Sequence, residues 1–241
     1  MRRGITAAFA AALVTMSAST AAAQPSIGDS FAAGALLGTP IGAFSPMSAG
    51  PMKGKAAGSS AALRLARYKP TGGTDITNIG GSYMRQAGTN AVVGGTVGYG
   101  TCDGCDGNLM LGVDLTSPLW AQPSTAENSM AFSFNLQGSA GYSTVTGDAD
   151  VSAMSAAVSL PLGMTMQQSN NGSIALFVTP GFGWGSLDVA GLSESGTRPF
   201  FGAGAAWTAP AGWALHLGMQ KVIIEDGATN IGAGFNWKFG N

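Results

Sequence analysis

Charge is scarce in this chain. Of 241 residues, 11 are Lys or Arg and 12 are Asp or Glu, so 10% is charged and the formal net charge is −1. Typical globular domains carry about 25% charged residues and use them to keep their exteriors soluble. So few charges cannot cover a water-facing domain, and their balance offers no basic surface for nucleic acid. Histidine occurs once and cysteine twice, which leaves no ligand set for a zinc site and predicts neither metal nor cofactor. Long apolar runs are also missing. After residue 23 no segment offers the roughly 18 apolar residues of a membrane-spanning helix. Neither Gly-x-Ser-x-Gly nor His-Glu-x-x-His occurs, so no motif of nucleophilic or metal-assisted hydrolysis is present and no catalytic residue is assigned.

What is present begins with an address. Arg2 and Arg3 precede an Ala-rich apolar stretch from Ile5 to Met16, and Ala21-Ala22-Ala23 stand before Gln24. This order of charge, short apolar run and small residues predicts a secretory signal peptide over 1–23. Residues 24–58 are rich in Ala, Gly, Pro, Ser and Met, with scattered Phe31, Leu36, Leu37 and Phe44. They read as an N-terminal leader or a partial plug.

From residue 59 to 241 the hydrophobic pattern has a period of two. Over 228–239, Ile231, Ala233, Phe235, Trp237 and Phe239 alternate with Asn230, Gly232, Gly234, Asn236 and Lys238. Strands with unlike faces look like this. The same alternation recurs over 108–120, 129–143, 151–167, 173–187 and 212–224, and more weakly over 59–69, 75–85, 90–100 and 197–208. The weakest is 75–85, where neither face is clearly apolar. Turn signals such as Thr-Gly-Asp at 146–148, Ser-Asn-Asn-Gly at 169–172 and Ala-Pro-Ala-Gly at 209–212 separate the runs. The expectation is an all-β, closed, antiparallel up-and-down barrel of ten strands, or of eight if 59–69 and 75–85 stay outside it.

A soluble lipocalin-like barrel would turn the apolar faces inward and expose Gly, Ser, Asn and Gln. Such an exterior would be poorly soluble and its Gly-rich strands poorly packed. The opposite phase fills a narrow lumen with small residues and sets large apolar ones against lipid, which predicts a transmembrane barrel in the bacterial outer membrane. Aromatics test that topology, because Trp and Tyr collect at membrane interfaces. Trp120, Trp207, Trp213, Trp237 and Tyr83 fall at strand ends assigned to the periplasm; Tyr68, Tyr99, Tyr142 and Trp184 fall at the other ends. Trp120 and Tyr68 have the wrong parity for lipid in a regular strand. Nine acids, Asp75, Asp103, Asp106, Asp148, Asp150, Asp188, Glu194, Glu225 and Asp226, gather in or beside the connections assigned to the outside.

The signal, the alternating strands, the aromatic girdles and the aromatic-rich last strand together resemble the small outer-membrane barrel, opacity or porin-like, families of Gram-negative bacteria. The resemblance covers roughly 59–241 and rests on pattern. It implies recognition of the last strand by the barrel-assembly machinery. In those families that strand commonly ends on an aromatic residue, whereas here Gly240 and Asn241 follow Phe239.

Cys102 and Cys105 form a Cys-x-x-Cys pair within Cys-Asp-Gly-Cys-Asp-Gly-Asn. Zinc would need further ligands, haem attachment a His where Asp106 stands, and a redox pair a βαβ context; a local disulfide in an oxidising compartment is expected. Arg64, Asp114, His216, Gln220, Asn236 and Lys238 share the inward parity and form the expected luminal polar network. The functional expectation is a non-enzymatic barrel with a structural or surface role. A narrow cation-preferring channel is the alternative, and a lipid-modifying or proteolytic enzyme built on His216 is a third reading. Expected partners are outer-membrane lipid and lipopolysaccharide, with divalent cations bridging the acidic rim to phosphate.

Overall fold

A computed structural model describes residues 59–69, 75–87, 91–101, 107–125, 129–145, 151–169, 172–189, 192–223, 227 and 229–239. The expected signal peptide, the segment 24–58 and the Cys102–Cys105 pair lie outside them. Among the described residues no helix is long and apolar enough to cross a membrane.

Eleven strand segments follow in chain order: β1 (Ser59–Lys69), β2 (Ile76–Ala87), β3 (Ala91–Thr101), β4 (Asn108–Gln122), β5 (Met130–Val145), β6 (Val151–Ser159), β7 (Leu162–Gln167), β8 (Ser173–Val189), β9 (Leu192–Thr208), β10 (Trp213–Val222) and β11 (Thr229–Phe239). Apart from β6 and β7, which do not pair with each other, each pairs antiparallel with its sequence neighbours, and β1 closes the circuit on β11 from Ser59↔Phe239 to Lys69↔Thr229. Closure removes every free sheet edge, as a strand-built membrane span requires.

β6 and β7 are two halves of one stave. Both pair with β5 on one side and with β8 on the other, in unbroken register. The interruption comes from Pro161 and from Pro180 across the ladder, each lacking an N–H. The hydrogen bonds Asn135 N to Pro161 O and Leu160 N to Pro180 O, both 2.9 Å, carry the ladder across the gap. The barrel therefore has ten staves, and 59–69 and 75–85 both enter it, which disposes of the eight-strand alternative.

The alternation is real in three dimensions. Leu63, Leu65, Leu111, Val113, Val158, Phe182, Leu217 and Trp237 are exposed on the outside, whereas Arg64, Asn78, Ser82, Thr179, His216, Gln220, Asn230 and Asn236 are buried within. One irregularity corrects the reading of β4. The register shifts between Pro118 and Trp120, a bulge that adds one residue to the strand. Trp120 thus pairs with outward Phe134 and is itself exposed, so the bulge gives it the lipid-facing phase that a regular strand denies it. Tyr68 stays in register with lumen-facing Asn230 and Ile76.

We call the end where β1 begins and β11 ends the near rim, and the opposite end the far rim. The near-rim connection from β9 to β10 is a tight turn: Ala209 N donates to Trp213 O at 2.8 Å and Gly212 N to Ala209 O at 3.0 Å. Gly212 has φ of 86°, a left-handed conformation that a side chain would strain. This turn brings Trp207 and Trp213 together edge to face, centroids 4.9 Å apart, and Trp213 in turn stacks on Phe235 at 5.9 Å. Trp120, Trp237 and Tyr83 also lie at near-rim strand ends, forming an aromatic girdle there with them, while Tyr99, Tyr142 and Trp184 are exposed toward the far rim.

Candidate functional site: the lumen and the far rim

A ten-stave lumen is narrow, and large inward side chains must find room across a neighbouring strand. Directly paired glycines supply it. Phe177 of β8 pairs with Gly204 of β9, and Phe200 of β9 with Gly181 of β8. A Cβ placed at Gly204 would stand 2.5 Å from Phe177 Cζ; at Gly181 it would stand 2.6 Å from Phe200 Cζ. Both rings therefore lie flat over bare backbone, and Phe177 buries itself with Ala175 and Ala206.

The same device seats polar groups. Gly234 of β11 pairs with His216 of β10 on one side and Arg64 of β1 on the other. A Cβ there would collide with the His216 ring and meet Arg64 Cγ at 3.0 Å. Gly100 is flanked likewise by Asn78 and Asn108, and Gly94 by Met84 and Asp114.

The structure thus places Arg64, His216, Gln220 and Asn236 inside the barrel, each 5% exposed or less. Asp114 shares their inward phase and lies close enough to Arg64 for the two charges to act on each other. Lys238 takes the register position opposite Ser60, and its side chain is not among those described. Several of its polar atoms make no direct protein hydrogen bond. Arg64 Nε, Nη1 and Nη2, both His216 ring nitrogens, Gln220 Oε1 and Asn236 Oδ1 are buried without a hydrogen-bond partner, as are both polar atoms of the Asn78 and Asn230 amides. Asn78, Asn108, Asn230 and Thr179 also belong to this interior, although the expected polar network did not include them. Their even or odd phase along each strand was a sufficient signal, since each falls on the face opposite the large apolar residues.

Neither ring nitrogen of His216 has a protein hydrogen-bond partner among the described residues. Among the described residues no group of three or more His, Cys, Asp and Glu is arranged to hold a metal ion.

At the far rim, Asp75 lies 2.6 Å from Arg67 Nη2, so its carboxylate is engaged by a cation of the wall. Asp188 is the next-to-last residue of β8, and Glu194 lies in β9 in register with Leu187. Asp103, Asp106, Asp148, Asp150, Glu225 and Asp226 lie outside the described residues.

No protein-family model matches the chain, and no curated protein matches it. Solved structures do. The outer membrane enzyme PagL is 10% identical, with 75% of this chain and 99% of that one covered at a TM-score of 0.38. Neisserial surface protein A is 12% identical over 75% and 96%, with a TM-score of 0.36. Ail, the attachment invasion locus protein of Yersinia pestis, is 15% identical over 74% and 96%, with a TM-score of 0.30. Overlaps this loose carry nothing about activity. The chain's own closure, apolar exterior, polar interior and two aromatic girdles make it a transmembrane β-barrel of the bacterial outer-membrane kind.

Proposed function

We propose that this protein is a non-enzymatic, non-conducting outer-membrane barrel whose work is done at its exterior and far rim, the far rim facing outside the cell. The observation that carries this reading is the inaccessibility of the interior. Asn135 and Asn230 are 0% exposed, and Arg64, Phe177 and His216 each 4%. An aqueous pore would wet the side chains that line it, as the lumens of porins are wetted. The partnerless imidazole of His216 supports a structural interior in the same way. The bilayer anchors the barrel by its apolar wall, and the connections of the far rim are what a partner outside the cell would meet.

Planar-bilayer recording over a series of potassium and sodium salts tests the reading. The expected result is a protein that inserts, as judged by heat-modifiable gel mobility, without producing steady conductance steps. Reproducible cation-selective steps that fade as salt screens the rim would replace it with the narrow-channel reading. Hydrolysis of a lipid or peptide bond abolished by His216→Ala would replace it with the enzymatic one.

A further inference from the structure

The lipid-facing wall is almost free of charge, and its outward carboxylates, Asp75 beside the start of β2 and Asp188 near the end of β8, stand at the far rim. Among described outward positions from girdle to girdle, Arg67, Arg85 and Lys221 are charged, against rows of Leu, Val, Ile, Phe and Ala. Arg85 stands alone toward the near rim. The other two are neighbours at the far rim, because closure of the barrel brings the two ends of the sequence together. Lys221 of β10 pairs with Thr229 of β11, and Thr229 pairs with Lys69 of β1. Arg67, two positions before Lys69 on the same phase, pairs with Ile231 of β11 and is 63% exposed at its side chain. Lys221 and Lys69 thus take the register positions on either side of Thr229, with Arg67 one outward position further along β1, on three adjacent staves spaced about 4.8 Å apart.

We infer that this surface of β10, β11 and β1 binds the phosphate groups of a phosphorylated glycolipid of the outer leaflet. Lys221 and Arg67 are the cations facing the membrane, Thr229 supplies a hydroxyl donor between them, and Lys69 shares their register. The position suits the chemistry. Apolar Met219, Ile231 and Leu217 lie on the same outer face toward the middle of the barrel, where acyl chains run. The cations come at the last residues of β10 and β1, where headgroups begin. A positive charge on a lipid-facing wall is costly in hydrocarbon and stable beside an anionic headgroup. Guanidinium and ammonium groups are the usual protein ligands of phosphate, the first as a fork and the second as a point charge. Asp75 pins Arg67 at the rim, and the cluster stays net positive with that carboxylate included. Glu225 and Asp226 follow in the β10–β11 connection, so direct cation–phosphate contact has to be separated from bridging by divalent ions.

This site deepens the surface role proposed above; a conducting barrel would carry it equally, so the conductance test and the lipid test fail independently. The full-length protein, folded in detergent, is offered a diphosphorylated glucosamine-based lipid or the same lipid stripped of phosphate, and retained lipid is counted by native mass spectrometry. We expect the phosphorylated form to be retained preferentially, and retention to survive EDTA. Each cation beside an anionic surface contributes on the order of a fivefold factor. The triple variant Arg67→Gln, Lys69→Gln, Lys221→Gln should therefore lose at least about tenfold, and Arg85→Gln should lose nothing. Heat-modifiable mobility confirms that each variant is folded, and Lys221→Gln alone serves as a second, milder variant. Equal retention of the dephosphorylated lipid, or undiminished retention by a folded triple variant, overturns the proposal. Loss of wild-type binding in EDTA overturns it in favour of carboxylate-bound divalent bridges.

Discussion

Two regions of the lumen solve one packing problem with different chemistry. Between β8 and β9, two phenylalanine rings lie over Gly204 and Gly181 and join a small apolar cluster. Between β10, β11 and β1, an imidazole and a guanidinium converge on Gly234 with none of their nitrogens hydrogen-bonded to another described residue. The geometry is shared: a large inward side chain opposite a residue with no Cβ. The energetics are opposite. Buried rings gain from contact with everything around them, whereas a buried polar group without a partner costs about 1–3 kcal/mol. Size complementarity, not hydrogen bonding, is therefore what the two regions have in common, and the apolar one should hold more of the stability.

Phe177→Ala should open a cavity beside Ala175 and Ala206 and cost about 3–5 kcal/mol, measured as the urea midpoint of the barrel refolded in lipid vesicles. A cost under about 1 kcal/mol would show that the ring is not packed as described. Filling the opposing glycine comes next. In Gly204→Ala the new methyl would meet Phe177 Cζ at 2.5 Å and the Leu217 carbonyl oxygen at 2.6 Å. The ring can turn, but the ladder backbone cannot yield, so about 1–3 kcal/mol of overpacking is expected. Phe177→Leu in the same chain should recover only part of it. Gly234→Ala meets chiefly the movable ends of His216 and Arg64 and should cost less than Gly204→Ala in the same assay.

The barrel itself was legible from sequence because a strand's side chains alternate strictly, so every Leu or Phe on one parity fixes its neighbours on the other. Even 75–85 forms a stave: Ile79 and Tyr83 face out, and Asn78 and Ser82 face in. Gly81 between the outward pair diluted its signal. The bulge at Pro118 was legible only as a conflict, Trp120 appearing on the wrong face, because an added residue leaves no compositional mark. Glycine pairing was not legible at all. Gly234 and Arg64 are 170 positions apart in sequence, and only the register of a closed barrel makes them neighbours. The same holds for Lys221 and Arg67, which look like isolated charges until β11 is laid between β10 and β1. The luminal polar set was half visible. Parity gave its direction, but nothing in parity says whether two inward groups reach each other.

Arg64 and Asp114 sharpen that point. They lie on β1 and β4, both inward, and influence each other electrostatically without a direct hydrogen bond from the guanidinium. Removing one charge leaves the other buried alone, so Arg64→Met and Asp114→Asn should each destabilise, and the double variant should cost less than their sum. A coupling on the order of 1–2 kcal/mol is expected from the double-mutant cycle in lipid vesicles. Asp148→Asn, in the β5–β6 connection, should change stability by no more than about 0.5 kcal/mol. Strict additivity of the two luminal substitutions would mean that the charges are held separately, each by its own surroundings.

The smallest effect is also the most informative about function. His216 is buried, it lies against Gly234, and neither ring nitrogen has a partner. If it only fills space, an apolar side chain of similar size should serve as well, since replacing an unsatisfied buried polar group by an apolar one of the same shape is neutral or favourable. His216→Leu should then leave the urea midpoint unchanged or raise it, by no more than about 1 kcal/mol. It would convert the polar seat into a copy of the one that Phe177 occupies. A loss of about 2 kcal/mol or more would instead assign the imidazole a hydrogen-bonded role inside the barrel, for a removed buried partner costs that much. The bilayer record of the same variant completes the argument. An unchanged absence of conductance is expected, because the leucine closes the same volume over the same glycine. The appearance of current would make His216 part of a gate and return the lumen to the channel reading.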